Sequence, residues 1–180
     1  MTPKGLLRHK KVVSPIAELI SGHVQEFIEE PVENSDKIRR VLLCSGKIYY
    51  DLIDRRRPSA DHLTIVRIEQ FYPLQKNRLR HILERYRRAR EFIWVQEESQ
   101  NMGGWSFMEP QLRELGFPVE YVGRDASASP ATGSRLVHLQ EQAEIVEAAL
   151  SGKAPHIVSF VPRASPIEEP MREKQQVGKG

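Results

Sequence analysis

A short apolar run that ends in a turn marks the start of the folded core: Val41-Leu42-Leu43-Cys44, followed by Ser45-Gly46. Continuous apolar runs of this length are typical of strands that are buried on both faces of a parallel sheet. Helical spacing follows in Tyr49, Leu52 and Ile53, and an Arg-Arg-Arg-Pro segment at residues 55–58 ends that helix. We therefore predict a buried strand, a tight turn and a crossover helix from residue 41 onwards.

The same pattern repeats three more times along the chain. Strand-like runs occupy residues 63–68, 92–95 and 119–122, and helical periodicity follows at about residues 75–89, 104–115 and 136–150. Strands that alternate with amphipathic helices form parallel sheets through right-handed crossovers. The predicted fold class is therefore α/β: a three-layer, doubly wound, mainly parallel sheet with helices on both faces.

The flanks of this core have a different pattern. Residues 38–150 hold the alternating elements, whereas residues 1–37 lack sustained periodicity and are predicted to be an interdomain connector. Within the connector, Ser14 as N-cap and Pro15 at the first helical position predict a short helix over residues 16–20.

The C-terminal segment, residues 151–180, is predicted to be an extended or disordered tail. Its prolines are spaced so closely that no helix persists through them: Pro155, Pro162, Pro166 and Pro170.

Length and composition fit one ordinary soluble domain. The chain has 180 residues, with 27 Lys plus Arg against 24 Asp plus Glu and 39% hydrophobic residues. It has no apolar stretch long enough for a membrane helix and no signal-peptide pattern at its start. We therefore predict a cytoplasmic protein, or one of the mitochondrial matrix if its source is a eukaryote, without a membrane partner.

Cysteine and histidine usage argues against a metal site or a disulfide. Cys44 is the only cysteine, and the six histidines lie at scattered positions without metal-ligand spacing. We predict no metal site in this chain.

The loops after the strands are the places where a doubly wound sheet binds ligands. Ser45-Gly46-Lys47 lacks the spacing of a phosphate-binding loop, which favours a tight turn. The loop at residues 123–135 combines small residues with side chains that could hold an anion: Arg124, Ser127, Ser129 and Ser134. An ordered connection that packs on a neighbour is the alternative for this loop.

Two adjacent carboxylates, Glu97 and Glu98, follow the third predicted strand. Adjacent side chains point in different directions from an extended backbone, so one would cap the following helix and the other would meet a partner chain. A general acid or base needs a substrate pocket, which the sequence does not identify. The structural role is therefore favoured.

The predicted helix at residues 75–89 is strongly basic, and the basic segment extends to Arg90. Its cations include Lys76, Arg78, Arg80, Arg85, Arg87 and Arg88. Binding to nucleic acid is one interpretation, but the polar side of the helix lacks aromatic residues on which bases would stack. A solvated face or an acidic protein partner is favoured.

Several motifs in these loops resemble those of a known family. They are Met1-Thr2-Pro3-Lys4, Cys44-Ser45-Gly46-Lys47, Val66-Arg67-Ile68-Glu69-Gln70, Gln96-Glu97-Glu98 with Asn101, Gly103 and Trp105, and Tyr121-Val122-Gly123-Arg124. In this order they resemble the C-terminal region of 2-oxoglutarate dehydrogenase, in its thiamine-diphosphate-dependent decarboxylating component. The resemblance covers about residues 1–150 and implies a transketolase-type C-terminal domain.

The resemblance also implies what this chain lacks. In the family, two preceding domains build the site for thiamine diphosphate and magnesium, and their Gly-Asp-Gly motif is missing here. The resemblance therefore implies no cofactor and no catalytic residue in this chain, and both cofactors in the full enzyme. Met1 resembles an internal methionine of the family, so we expect a fragment of a longer protein.

By resemblance, the domain supports dimerisation and regulation of an enzyme of the citric acid cycle. The implied partners are the preceding domains, a homodimer partner and the acyltransferase core of the multienzyme complex. Glu97, Glu98, Asn101 and Trp105 are interface candidates, and acetyl-CoA or AMP would bind as a regulator near Arg124. The alternative is a freestanding α/β module that binds a nucleotide or acyl-CoA.

Overall fold

A single mixed sheet organises the part of the chain that the structure, a computed structural model, describes: residues 4–58, 60–151 and 157–158. Within these residues the strand order is β1-β3-β2-β4-β5-β6. The strands are β1 (Phe27–Glu29), β2 (Arg40–Cys44), β3 (Leu63–Ile68), β4 (Glu91–Ser99), β5 (Glu120–Arg124) and β6 (Ile157–Val158). All neighbours pair in parallel except β1, which runs antiparallel to β3.

Helices cover both faces of this sheet, which confirms the predicted doubly wound α/β fold. They are α1 (Ile16–Ser21), α2 (Ile48–Arg55), α3 (Lys76–Glu84), α4 (Trp105–Glu114) and α5 (Arg135–Ser151). Helices α3 and α4 pack on the face that carries Val41 and Leu43, and α2 and α5 pack on the face that carries Leu42 and Cys44. Because successive strand residues point to opposite faces, all of the Val-Leu-Leu-Cys run is buried.

The direction of the winding reverses next to β2. The chain passes from β2 to β3 on one side and then crosses back to β4 on the other, with Cys44 opposite Val95 in the parallel register. The loops after β2 and β4 therefore leave the sheet in opposite directions. Doubly wound sheets bind ligands next to such a reversal, beyond the carboxyl ends of the strands.

Part of the predicted connector belongs to the sheet. Strand β1 pairs Phe27 with Ile68 at the edge of β3, and the Phe27 side chain is buried in the core under α3. Three ion pairs join this segment to the basic residues of α3 and the turn after it: Glu26 with Arg78, Glu29 with Arg85, and Asp36 with Arg88. The acidic partner of the basic helix thus lies within the same chain.

The observed element boundaries differ from the predicted ones at several places. Helix α3 ends at Glu84 and a turn follows at residues 85–88, where Tyr86 N donates to Leu83 O and Arg87 N to Glu84 O in the i→i−3 pattern. Residues 96–99, predicted as a loop, continue β4 beyond an irregularity in its pairing with β5. The N-cap of α1 is Pro15 and not Ser14. In the predicted tail, Ser151 ends α5, Ile157–Val158 pairs with β5, and the other positions lie outside the described residues.

The close packing between β4 and the start of α4 gives a test of the core. Gly104 has an ordinary φ of −89°, but a Cβ there would lie 2.7 Å from Trp94 Cζ2 and 2.9 Å from Phe71 Cζ. We expect Gly104→Ala to lower the free energy of unfolding by about 1–3 kcal/mol, measured by urea denaturation, because both rings must move.

The matched control is Gly133→Ala, because a Cβ at Gly133 meets no heavy atom of the described structure within 4 Å. Its unfolding free energy should change by no more than about 0.5 kcal/mol. Equal losses in the two variants would contradict the packing described here.

Candidate functional site

A cleft of about 830 Å³ lies beyond the carboxyl ends of β4 and β5. Its walls are the segment 97–99, the loop 124–134 and the start of α5, and Lys47 closes one end. Asn101 ties the two loops together, because its Nδ2 donates to Ser127 O at 2.9 Å and its Oδ1 accepts from Ser127 N at 3.0 Å. The two polar loops singled out in the sequence therefore form one site.

The Arg124 guanidinium occupies the inner wall of the cleft. Its Nε lies 2.7 Å from Glu141 Oε2, and its Nη1 donates to the backbone carbonyl of Glu97. Its Nη2 lies 3.1 Å from His138 Nδ1 and 3.3 Å from Gln142 Oε1. Since a guanidinium only donates, His138 Nδ1 is the acceptor in this contact. Each nitrogen of Arg124 is therefore engaged within the protein.

Lys47 forms the second half of the same network, at the point where the strand order reverses. Its Nζ lies 2.7 Å from Asp51 Oδ2 and 2.9 Å from Glu97 Oε2, and Gln142 Nε2 donates to both carboxylates. Partial burial acts to lower the Lys47 pKa, but the hydrogen bonds to Asp51 and Glu97 outweigh it and leave that pKa raised. A lysine held in its charged form is a structural cation and not a nucleophile.

Gln96 joins the end of β4 to the start of α4. Its buried Oε1 accepts from Trp94 Nε1 at 2.9 Å and from Trp105 N at 3.0 Å. Its Nε2 donates to the carbonyls of Ser99 at 3.0 Å and Met102 at 2.8 Å. The side chain that meets the first turn of α4 is therefore Gln96, and the prediction that Glu97 or Glu98 caps this helix is wrong.

The two adjacent carboxylates diverge, as an extended backbone requires. Glu97 turns towards Lys47 and Gln142, whereas Glu98 is exposed at the rim of the cleft. Of the other interface candidates, Asn101 is exposed and Trp105 is half-buried with its ring 5.0 Å from that of Tyr121. Glu98 and Asn101 are thus the more accessible members of the predicted set.

The residues predicted to bind a regulator all line the cleft: Arg124, Ser127, Ser129 and Ser134. Two of the serines stabilise their own loop, because Ser127 Oγ accepts from Ser129 N at 3.1 Å and Ser129 Oγ donates to Ala131 O at 2.8 Å. The observed loop is an ordered connection. Its role in binding a regulator stays a prediction.

Sequence reasoning missed the partners that hold this site together. Asp51, Gln96, Glu141 and Gln142 come from three different elements. Only the Lys47–Asp51 pair carries a local signal, because opposite charges four residues apart meet on one helix face.

The electrostatics of the cleft do not favour acid–base chemistry. Lys47 and Arg124 are neutralised by Asp51, Glu97 and Glu141. Burial raises the pKa of the Cys44 thiol, which keeps it protonated, and burial likewise raises the pKa of Tyr121. Across residues 4–58, 60–151 and 157–158, no group of three His, Cys, Asp or Glu side chains could hold a metal ion. The hydrogen-bonded and ion-paired groups of this cleft hold its loops in position.

None of the helices formed by the described residues is long and apolar enough to cross a membrane.

The ion pair between the partly buried Arg124 and the buried Glu141 gives a second test. Arg124→Met leaves the Glu141 carboxylate buried without its cation, so we expect a loss of about 3–5 kcal/mol in unfolding free energy. Adding Glu141→Leu removes that carboxylate and should recover a large part of the loss. Urea denaturation of the two single variants and the double variant measures the coupling.

The exposed pair Lys76–Glu114, 2.7 Å apart, is the control. Lys76→Met should cost no more than about 1 kcal/mol, because solvent screens exposed charges. A double variant of the buried pair that loses the sum of its single losses would show that the pair is not coupled.

The family model and the curated relatives that match this chain point to the same family. Residues 13–150 match the family model described as 2-oxoglutarate dehydrogenase C-terminal. The chain is similar to the 2-oxoglutarate dehydrogenase E1 component of Geobacillus sp. (strain WCH70), 42% identical over 160 residues, which covers 85% of this chain and 17% of the relative. The same component of Rickettsia conorii is 43% identical over 160 residues, with 83% and 17% covered.

A solved structure, titled a split-gene transketolase and inactive β4 tetramer, gives a TM-score of 0.44 at 18% identity over 64% of this chain and 40% of that chain. A similarity at that level carries no functional inference. The chain spans about one-sixth of the length of the curated relatives, at 17% for the Geobacillus protein.

Proposed function

The chain belongs to the 2-oxoglutarate dehydrogenase C-terminal family, and on this basis we propose that it acts as the non-catalytic C-terminal domain of an E1 component. The enzyme so assembled oxidatively decarboxylates 2-oxoglutarate in the citric acid cycle. The match over residues 13–150 carries this proposal, because it spans the sheet from β1 to β5 and all the α-helices.

The chemistry of the cleft supports a non-catalytic role. An acid, base or nucleophile must be within reach of a substrate and free to exchange a proton or form a bond. In this cleft, Lys47, Arg124 and Glu141 are engaged with one another or with neighbouring side chains and carbonyls. These ion pairs and hydrogen bonds stabilise the loops at the carboxyl ends of the strands.

The described residues do not fit thiamine diphosphate and magnesium. The sequence has no Gly-Asp-Gly motif, and the described residues offer no cluster of metal-ligating side chains. In the proposal, other domains of the E1 component provide the cofactor site. This domain contributes surfaces to the assembly: to those domains, to a homodimer partner and to the acyltransferase core of the complex, in the cytoplasm.

A freestanding nucleotide or acyl-CoA module is not favoured. Such a ligand brings phosphate groups, and the cleft network has three carboxylates against two cations, with Glu98 and Asp125 exposed at its rim. A phosphate would have to displace Glu141 or the Glu97 carbonyl from Arg124. Regulation by acetyl-CoA or AMP therefore stays a prediction for Arg124 and the loop serines.

The proposal is tested with a chimera. The Geobacillus E1 component, with its own matching C-terminal region replaced by this chain, should release CO₂ from 2-oxoglutarate when thiamine diphosphate and magnesium are supplied. The same component truncated without replacement, and this chain alone, should both be inactive. Release of labelled CO₂ measures all three.

Turnover by this chain alone would contradict the non-catalytic role. A folded chimera that is no more active than the truncated component would contradict the domain assignment.

A further inference from the structure

An exposed apolar surface lies at the N-terminal side of the domain. Between residues 4 and 24, all of which are described, neither the 3-10 helix Lys4–Arg8 nor α1 contains a buried residue. Six aliphatic side chains there are 74–80% exposed: Leu7, Val13, Ile16, Leu19, Ile20 and Val24. We refer to these six side chains as the N-terminal apolar face.

Polar contacts attach this segment to the domain and leave the apolar face outward. Lys11 Nζ lies 2.5 Å from Asp54 Oδ1, and His9 Nε2 lies 3.5 Å from Asp54 Oδ2. The His9 ring lies 5.4 Å from the ring of Tyr50. These contacts fix the residues before α1 to α2 without covering any of the six side chains.

Helix α1 is too short to be stable by itself. It has six residues, whereas isolated helices shorter than about 12–15 residues are marginal in water. Short helices in proteins depend on tertiary packing of an apolar face. Among the described residues, nothing buries Ile16, Leu19 or Ile20.

The face is large enough for a specific interface. Six aliphatic side chains exposed to this extent offer an area on the order of 800 Å², which is what each partner contributes to a standard protein interface. Ile16, Leu19 and Ile20 share one face of α1 through their i, i+3 and i+4 spacing, and monomeric proteins rarely leave apolar surface of this extent uncovered.

We infer that the N-terminal apolar face docks on the portion of the E1 component that precedes this domain in the relatives, an inference that rests on the proposed function. The matched region is the C-terminal part of a family whose curated members are about six times longer. Most of their length therefore precedes it. Five of the six side chains fall within the matched residues 13–150, so the face belongs to the region shared with the family.

Position and charge favour this occupant over a second copy of the chain. In the relatives, the face is the part of the domain nearest in sequence to the preceding portion, and a covalent link raises the effective concentration of the two surfaces. Three exposed cations, Lys4, Arg8 and Lys10, precede α1, against one exposed carboxylate within that helix, Glu18. The complementary surface should therefore be apolar with an acidic border, whereas two copies would bring these cations together.

The test uses this full chain and the Geobacillus E1 component truncated before its matching region, produced as separate polypeptides. The wild-type chain should bind the truncated component, measured by titration calorimetry. Leu19→Glu/Ile20→Glu should bind about tenfold or more weakly, because two charges would be buried at the interface. Urea midpoints should be unchanged, since both side chains are exposed.

The matched control is Leu139→Glu, an exposed leucine on α5 outside the N-terminal apolar face. It should bind like the wild-type chain. Equal binding by all three proteins, or equal weakening in both variants, would overturn the docking surface and leave the proposed function standing.

Two further results would also overturn the inference. One is that the wild-type chain does not bind the truncated component. The activity of the chimera then decides separately whether the proposed function also fails. The other is a self-associated chain that Leu19→Glu/Ile20→Glu converts to monomer in sedimentation velocity, because the face would then join two copies.

Discussion

The burial of β2 on both faces is the constraint on which the rest of this structure depends. All five of its residues are buried, including Arg40, so helices must cover the sheet above and below this strand. Parallel neighbours on both sides require crossover connections, which place α2 and α5 on one face and α3 and α4 on the other. The cleft lies beyond the carboxyl ends of β4 and β5, and Lys47, in the turn after β2, is part of its lining.

Two arginines at opposite ends of the sheet, Arg40 buried and Arg124 partly buried, hold α5 in place. At the amino end of β2, Arg40 pairs with Glu91 and donates to Ala149 O at 2.9 Å, close to the end of the helix. At the carboxyl end of β5, Arg124 pairs with Glu141 in the same helix. A buried guanidinium is tolerated only where acceptors satisfy it. These two contacts therefore fix both the position and the register of α5 along the sheet.

Charge pairing also explains two features that look unrelated along the sequence. The acidic residues before β2 and the basic residues of α3 neutralise each other across the edge of the sheet, at Glu26, Glu29 and Asp36. These exposed pairs contribute little individually, whereas the burial of Phe27 anchors β1. An uncovered apolar surface therefore lies before β1, whereas Arg78, Arg85 and Arg88 of the basic segment have acidic partners within the chain.

The sequence by itself determined the order and type of the core elements and the family. The strands at Val41 to Cys44 and at Leu63–Ile68 can be recognised from the sequence. Burial selects apolar residues at neighbouring positions, so the pattern is visible along the chain itself. The tertiary structure decided what the polar residues do. Gln96, Gln142 and Glu141 act through partners on other elements, and no local period records which distant group a side chain will meet. For the same reason only the folded chain distinguishes the buried apolar side chains of α5 from the exposed ones of α1, because exposure depends on what the fold places opposite each face.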